Sequence, residues 1–381
     1  RKKFMTHKKI SMADPFFDES DRERIHKEID NILDKSLSMG PNVLAFQEEF
    51  AAKMNVKHAI AMNACTSTLE AALLAHDIRG KEVIIPSQTF IGTGMSVHLN
   101  GGTPIFAEIS PKTFSLDLND VKEKVTKNTA GIILVHMTGI ITPDIQDFRS
   151  YCVENELFLI EDAAHSPGAI INNQYAGTIG DAGCFSFFPS KVMTAGEGGM
   201  LTTNCDKIAD FARSFQNRGR DMNSRNEIYS IPGRNVRITE MSALLGRIQL
   251  EKLDQFLAKR RSIATIYKNE LAILHNEIDI LIPDDINSSS FWKVPIILNK
   301  NIDRNALTEE LNLLGIAVDW AYNPPLHLQP VFIDLYKTHD GQLPITEDLL
   351  SRHICLPCHP GMTEDDAFHV TNSIKQILKR L

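Results

Sequence analysis

Short apolar runs alternate with amphipathic stretches through the first half of the chain. Between residues 57 and 203, runs typical of strands occur at 58–62, 82–86, 104–109, 130–136, 157–162, 183–188 and 200–203. Several of them are continuously apolar, as strands covered on both faces are. Between them lie stretches with apolar residues at helical spacing, such as 67–76. This alternation predicts an α/β architecture with a mixed, mostly parallel sheet flanked by helices.

After residue 240 the pattern changes. One long amphipathic helix is predicted over 239–267, followed by a strand at 292–298, a helix at 304–314, a proline-rich stretch and a last helix at 364–381. These elements predict a second, smaller C-terminal α/β domain. A further helix is expected near 21–36. We therefore divide the chain into an N-terminal segment (1–40) that packs on the main body, a large domain (41–245) and a small domain (246–381).

Composition excludes some classes of partner. The 381 residues carry a formal net charge of −8, which disfavours nucleic acid because phosphate binding requires clustered lysine and arginine. No apolar stretch approaches the ~20 residues of a membrane span, and no signal-peptide pattern is visible. The six cysteines are scattered along the chain, so we expect free thiols, no membrane partner and a cytoplasmic location.

The first candidate for chemistry is a pair of acids, Glu161 and Asp162, at the end of an apolar strand. In α/β sheets, ligands bind beyond the carboxyl ends of the strands. A carboxylate there could bind a metal, act as a base or pair with a cationic heterocycle. It could equally cap the following helix.

A second candidate is Lys191, which follows a strand and a polar turn and precedes the glycine-dense segment 196–199. A desolvated lysine loses its proton more easily, as a Schiff-base amine requires. A lysine that only extends along the surface is the alternative. A third candidate is the strand–turn–helix junction at 63–69, rich in small hydroxyl residues, where free N–H groups suit a phosphate. An ordinary helix cap would have the same pattern.

A set of short motifs then recurs in a characteristic order. They are Gly40-Pro41, 86–90 (PSQTF), 136–139 (HMTG), 161–165 (EDAAH), 186–191 (SFFPSK), 196–199 (GEGG), 233–240 (GRNVRITE), 322–327 (YNPPLH) and Leu356-Pro357. Together they resemble the DegT-type sugar aminotransferases, which are fold type I enzymes that depend on pyridoxal 5′-phosphate (PLP). The resemblance covers nearly the whole chain.

The resemblance implies a role for each matching residue. Lys191 would bind PLP as a Schiff base and then move a proton between two carbons. Asp162 would pair with the pyridine nitrogen of the cofactor. Phe90 would stack on the ring, and His165 would lie near its phenolic oxygen.

It also implies how the phosphate of the cofactor is held. The backbone of Thr66 and Ser67 and the hydroxyl of Ser186 would bind it within one chain. Asn235 would reach the phosphate in the neighbouring subunit. The expected assembly is therefore a homodimer with shared active sites.

Substrates are implied only in outline. The family suggests L-glutamate as the amino donor and a keto sugar, mostly nucleotide-linked, as the acceptor in amino-sugar biosynthesis. Arg237, Tyr322 and His327 are the candidate substrate residues. Arg218 and Arg234 are further candidates for the carboxylate of the donor.

Alternatives remain open on the same fold. A branch of sugar dehydratases has histidine in place of the lysine, so Lys191 favours transamination. A non-catalytic PLP-binding regulator would use the same fold, and so would a cysteine desulfurase, which would need a reactive cysteine on a mobile loop, for which no candidate stands out. Cys65 stands where the family commonly has glycine or alanine. The run 355–359 (CLPCH) matches the short motif for haem attachment, but we interpret this as accidental and expect no metal site.

Overall fold

A computed structural model describes residues 9–380. Its main element is a sheet of seven strands: β1 (His58–Met62), β2 (Glu82–Pro86), β3 (Thr103–Ala107), β4 (Thr129–Val135), β5 (Phe158–Asp162), β8 (Ala182–Ser186) and β9 (Gly199–Thr203). Their spatial order is β1-β9-β8-β5-β4-β2-β3, and only β9 runs antiparallel to its neighbours. Two short strands, β6 (Ile170–Ile171) and β7 (Gln174–Tyr175), form a separate ribbon. The predicted mostly parallel sheet is confirmed, with strand ends shifted by a few residues.

Helices cover both faces of the large sheet. In the first half of the chain they are α1 (Glu19–Lys35), α2 (Pro41–Met54), α3 (Cys65–Ala75), α4 (Ile91–Leu99), α5 (Leu118–Lys124), α6 (Ile145–Glu154) and α7 (Asp206–Gln216). Strand β4 shows how the two faces are used. Ile133 and Val135 belong to the core that includes α2, α3 and α7, whereas Ile132 and Leu134 belong to the core that includes α5 and α6. Period-two burial on both faces explains the continuously apolar strands.

A smaller antiparallel sheet follows, made of β10 (Ile278–Ile280), β11 (Val294–Leu298) and β12 (His353–Leu356). The helices of this half are α8 (Glu240–Glu251), α9 (Leu253–Leu271), α10 (Arg304–Leu313), α11 (Pro330–Tyr336), α12 (Pro344–Arg352) and α13 (Glu364–Leu378). Single turns of 3₁₀ helix occur at Met137–Gly139, Ala272–Leu274, Ile286–Ser288 and Leu326–Leu328. The sheet, α9, α10 and α13 enclose a second hydrophobic core.

The prediction of a single long helix over 239–267 is wrong. Lys252 leaves the helical conformation (φ −98°, ψ 0°) and separates α8 from α9. Its ammonium group forms ion pairs with Asp18 and Asp21, the latter at 2.6 Å. Because of this break, α8 packs on α2 and α9 packs on α13. No glycine or proline marks this position, so the amphipathic pattern by itself predicts one continuous helix.

The N-terminal segment contacts both halves of the molecule. Ile10 pairs with Ile316 beside the second core, whereas α1 packs on α8. Residues 1–8 of the segment proposed as 1–40, and Leu381 of the last predicted helix, lie outside the described residues.

The proposed domain boundary at residue 245 falls inside α8. Because α9 contributes to both cores, we propose that the two domains meet along α9 instead.

Candidate active site

A cavity of about 460 Å³ lies at the carboxyl edge of the large sheet. The ends of β4, β5 and β8 open into it, and so do the residues that follow β1 and β2. Ligands of such sheets bind at this edge. Seven of the predicted site residues line the cavity, namely Thr66, Phe90, Asp162, His165, Ser186, Lys191 and Tyr322.

Lys191 stands in the turn that follows β8. Its backbone N–H donates to the Phe188 carbonyl at 2.9 Å, which fixes the turn. Burial lowers the pKa of Lys191 to about 8, although the charge of Asp162 acts in the opposite direction. An amine with this pKa is partly neutral near physiological pH, and a neutral amine is a nucleophile.

Asp162 is the last residue of β5, and its side chain is buried. Thr93 donates its hydroxyl to Oδ2 at 2.9 Å, and the backbone N–H of Ala164 donates to Oδ1 at 3.2 Å. Burial raises the pKa of Asp162 despite these hydrogen bonds. A buried carboxylate at a cavity wall is well placed to bind a cationic group, which would favour its ionised form.

His165 packs beside two aromatic side chains. Its ring stacks on Trp292 at a centroid distance of 3.8 Å, and its Nε2 is 3.1 Å from the Tyr322 hydroxyl. Nδ1 is buried without a hydrogen-bond partner among residues 9–380. Burial holds the pKa of His165 well below its usual value, so the ring is neutral. A neutral ring with one free nitrogen can still bond to a ligand in the cavity.

The start of α3 has the features that suit an anion. Ala64 precedes the helix without a side-chain cap, which leaves the first N–H groups without that partner. Gly199 packs closely against this turn. Any side chain at this position would clash, since its Cβ would lie 2.4 Å from the carbonyl carbon of Ala64. The hydroxyls of Thr66 and Ser186 line the same cavity. Ser67 differs from them, since its hydroxyl donates to Asn63 Oδ1 at 2.7 Å, so only its N–H can serve an anion.

Phe90 is an exposed aromatic residue of the cavity wall. It caps the start of α4, and 54% of it is exposed. Its ring lies 6.0 Å from that of Tyr322. A large exposed aromatic side chain beside a cavity is suited to stack on a flat ligand.

His327, predicted as a substrate residue, lies elsewhere. Its side chain is fully buried and is not part of the cavity wall. Nδ1 is hydrogen-bonded to Ser87 Oγ at 2.6 Å, and Nε2 to Glu347 Oε1 at 2.8 Å. Because both ring nitrogens have partners, His327 serves to anchor the segment after Tyr322 to the end of β2.

The segment 217–237 also lies outside the cavity of its own chain. Asn235 is exposed, and its backbone pairs with that of Asn217. Arg237 donates to Asn217 Oδ1 at 2.7 Å, and Arg234 forms an ion pair with Glu70 at 3.0 Å. Arg218 is exposed as well.

The cavity wall also contains polar and aromatic residues that were not predicted as site residues, among them Thr93, Glu197 and Trp292. Thr93 lies one helical turn after Thr89, and their hydroxyls are 2.8 Å apart, a spacing that could have been noticed. Glu197 belongs to the quoted glycine-rich motif. Trp292 lies in the loop before β11, in the second half of the chain, and no local pattern connects it with the site.

The run at 355–359 belongs to the protein interior. Cys355 and Cys358 are buried free thiols, and the carbonyl of Cys358 accepts a hydrogen bond from Arg260. Within the described part of the chain, no group of three histidine, cysteine or acidic residues is arranged to hold a metal ion. No helix among residues 9–380 is long and apolar enough to span a bilayer.

Comparison with known proteins identifies relatives over almost the whole chain. GDP-perosamine synthase of Caulobacter vibrioides is 34% identical over 379 residues, which cover 97% of this chain and 98% of that protein. Among solved structures, DesI in the presence of its TDP-sugar product superposes with a TM-score of 0.86 at 29% identity, covering 97% of this chain and 93% of that one. NtdA of Bacillus subtilis, with bound pyridoxamine phosphate, gives a TM-score of 0.88 at 26% identity and coverages of 98% and 86%.

The cavity fits the cofactor that this comparison implies. It contains a lysine whose pKa is lowered, a buried carboxylate, an uncapped helix start for a phosphate and a buried histidine nitrogen without a partner. These are the groups needed to attach, orient and polarise a phosphorylated pyridine. The model of the DegT/DnrJ/EryC1/StrS aminotransferase family matches residues 19–375. The chain therefore belongs to this family, and it is a PLP-dependent sugar aminotransferase, as the sequence motifs predicted.

Proposed function

We propose that the enzyme transfers the amino group of L-glutamate to the ketone carbon of a nucleotide-linked keto sugar. The observation that carries this proposal is that Lys191 and Asp162 line one cavity, each with a pKa displaced by burial. The names of the relatives support the acceptor class, since one makes a GDP-linked amino sugar and another was solved with a TDP-sugar.

Lys191 and Asp162 would perform the main chemical roles. PLP, when bound, supplies an electron sink for negative charge on the reacting carbon. Lys191 would hold the cofactor covalently and, once released, accept and return a proton. Its pKa of about 8 suits this role near neutral pH. The ionised form of Asp162 would keep the pyridine nitrogen protonated.

The remaining wall would orient the cofactor. His165, held neutral by burial, would approach the phenolic oxygen with a ring nitrogen. Phe90 would stack on the ring. The N–H groups of Thr66 and Ser67 and the Ser186 hydroxyl would bind the phosphate at the start of α3.

We also propose a homodimer in which each active site includes residues of both chains. Asn235 is exposed and lies outside its own cavity, which is the arrangement required if its amide serves the partner's phosphate. Arg218, Arg234 and Arg237 belong to the same stretch. One of them would bind the carboxylate of glutamate, and it would do so in the partner's site.

The biological setting follows from the same proposal. An enzyme that aminates nucleotide-linked sugars would act in the cytoplasm and supply amino sugars for a surface polysaccharide, such as lipopolysaccharide, or a related glycoconjugate. Tyr322 lines the cavity and would contact the sugar.

A screen of keto sugars tests the reaction. Nucleotide-linked 4-keto and 3-keto hexoses, and their free counterparts, are incubated with glutamate, and mass spectrometry detects the amino sugar and 2-oxoglutarate. We expect both products in equal amounts from at least one nucleotide-linked acceptor, and none with Lys191→Ala. A dehydrated sugar without 2-oxoglutarate would instead indicate a dehydratase. A cofactor bound without any turnover would indicate a regulator.

A further inference from the structure

Trp292 occupies a position that neither the motifs nor the predicted roles explain. It is buried and lies two residues before β11, in the small-domain half of the chain. The Nζ of Lys191 lies 4.4 Å from the centroid of its ring, and the Nζ of Lys293 lies 4.1 Å from it. The ring of His165 stacks on it at 3.8 Å. One indole therefore contacts the reactive lysine, a second lysine and a site histidine.

Hydrogen bonds hold both the indole ring and the backbone of Trp292 in place. Its Nε1–H donates to the carbonyl of Ser190 at 2.6 Å, and Ser190 immediately precedes Lys191. Its backbone N–H donates to the Thr138 carbonyl at 2.9 Å. Arg260 donates to the carbonyl of Phe291 at 3.0 Å. The ring is thus tied to the backbone next to Lys191, and it cannot turn away without breaking this partly buried hydrogen bond.

We propose that Trp292 is a positioning residue that holds the ammonium form of Lys191 whenever this lysine is not bonded to the cofactor. The inference rests on the proposed role of Lys191. Transamination requires that the amino group of a substrate displace the lysine, which then stays close enough to take a proton from carbon and return it. A charged amine in a buried site needs compensation.

An aromatic face meets this requirement in a particular way. A ring within about 6 Å attracts a cation through its quadrupole, and tryptophan does so best. It offers no hydrogen-bond acceptor that would hold the amine rigidly. The ammonium group is therefore stabilised, while the neutral amine remains free to move back to the cofactor.

Lys293 also contacts the ring of Trp292. Its effect on the pKa of Lys191 is opposite to the effect that we propose for the ring. It is buried and paired with Asp319 at 2.5 Å. Its positive charge disfavours a second cation nearby and lowers the pKa of Lys191, in the same direction as burial. The other titratable groups that share the cavity with Lys191 are Cys65, Asp162, His165, Glu197 and Tyr322. Changes at 292 and at 293 should therefore move the titration of Lys191 in opposite directions.

Competitive labelling measures this titration directly. The full-length enzyme is loaded with pyridoxamine phosphate, so that no lysine is bonded to the cofactor, and is acylated with acetic anhydride over a range of pH. Mass spectrometry of the peptide that contains Lys191 gives the pH midpoint of its reactivity. For Trp292→Leu we expect a midpoint lower by about half to one pH unit. For Trp292→Phe the shift should be smaller, and for Lys293→Met it should be upward.

Trp320 supplies the matched control. It is the other tryptophan of the sequence, is 36% exposed, and lies under Arg304 at 4.7 Å. Trp320→Leu should leave the midpoint unchanged. In turnover, Trp292→Leu should lower kcat several-fold with little change in KM, and Trp292→Phe should restore most of it. If Trp292→Leu does not fold, Trp292→Phe and Lys293→Met still provide the two opposite shifts.

Two results would overturn the inference. One is an unchanged midpoint in both Trp292 variants while borohydride fixes the cofactor to Lys191, which leaves the proposed function intact. The other is an equal shift in Trp320→Leu, which would show a global effect. If borohydride fixes the cofactor to a different lysine, the proposed function and this inference both fail.

Discussion

Two walls of the cavity are built in different ways. The large-domain wall includes Thr66, Asp162 and Ser186, which stand at strand ends or helix starts, and Lys191, which stands in the turn after β8. The small-domain wall consists of Trp292 and Tyr322, which lie in loops, and Tyr322 has a left-handed backbone (φ 60°). The first wall carries the groups that we propose to bind the cofactor and transfer protons. The second presents aromatic faces, and we propose that they position those groups.

The difference shows why one fold can hold a fixed chemistry and a variable acceptor. Strand ends in a parallel sheet are rigid, so the reactive groups keep their geometry. Loops that contribute side chains across a domain boundary can change without disturbing the sheet. We therefore expect substitutions in the large-domain wall to affect the chemical step and those in the small-domain wall to have smaller effects.

The largest effect should come from Lys191→Ala. Losing the amine removes both the covalent attachment and the proton carrier, so we expect turnover to fall by about 10⁴-fold or more. Borohydride reduction followed by peptide mapping should locate the cofactor on Lys191 in the wild type and nowhere in the variant. An adduct that persists on another lysine in the variant would contradict the assignment.

Asp162→Asn should have the next largest effect. A carboxylate within ~4–6 Å favours the protonated heterocycle by about 1–3 pKa units, which corresponds to a loss of roughly 10- to 1000-fold in rate. The variant should keep part of its PLP, measured by absorbance after dialysis, because the lysine and the phosphate site remain. Near-native turnover would show that Asp162 has a different role.

The sequence predicted the residues of the large-domain wall far better than those of the small-domain wall. Asp162 and Lys191 could be found because strand ends of a parallel sheet meet at one edge, and the family motifs coincide with these ends. Trp292 could not, since it is 101 residues from Lys191 and reaches the site only through tertiary packing in the core of the large sheet. The structure places His327 outside the cavity wall, which the sequence could not show because it does not reveal whether ring nitrogens already have partners. The helix break at Lys252 depends on ion pairs more than 200 residues away.

Asn235→Ala tests whether a third wall comes from a partner chain. Loss of a hydrogen bond to a charged phosphate costs ~1.5–3 kcal/mol, so PLP retention should weaken by about ten- to a hundredfold. A mixed dimer of Lys191→Ala and Asn235→Ala chains then separates the two arrangements. If the sites are shared, one site carries both lesions and the other neither, and activity partly recovers. Without recovery, each chain serves its own site.

Tyr322→Phe should have a modest effect, as expected for the small-domain wall. It removes one neutral hydrogen bond to His165, whose Nε2 is 3.1 Å from the hydroxyl. Such a bond contributes ~0.5–1.5 kcal/mol, so kcat/KM should fall by about two- to tenfold. A loss as large as that of Asp162→Asn would mean that the hydroxyl takes part in the chemical step, and the contrast between the walls would fail.

His327→Gln should have the smallest effect on turnover and a clear effect on stability. Removing a ring bonded to Ser87 and Glu347 leaves buried groups poorly satisfied and should lower the free energy of unfolding by ~1–3 kcal/mol at pH 7.5. Kinetic parameters should stay within about twofold, because the ring does not line the cavity.

The pH dependence of this loss gives a second, independent check. Burial lowers the pKa of His327 below its usual value. The unfolded chain therefore binds more protons, and wild-type stability falls as pH drops below about 6.5. Glutamine does not titrate, so denaturant unfolding should show a smaller difference between variant and wild type at pH 5.5 than at pH 7.5. An unchanged free energy of unfolding together with a tenfold rise in KM for the sugar would return His327 to the substrate site.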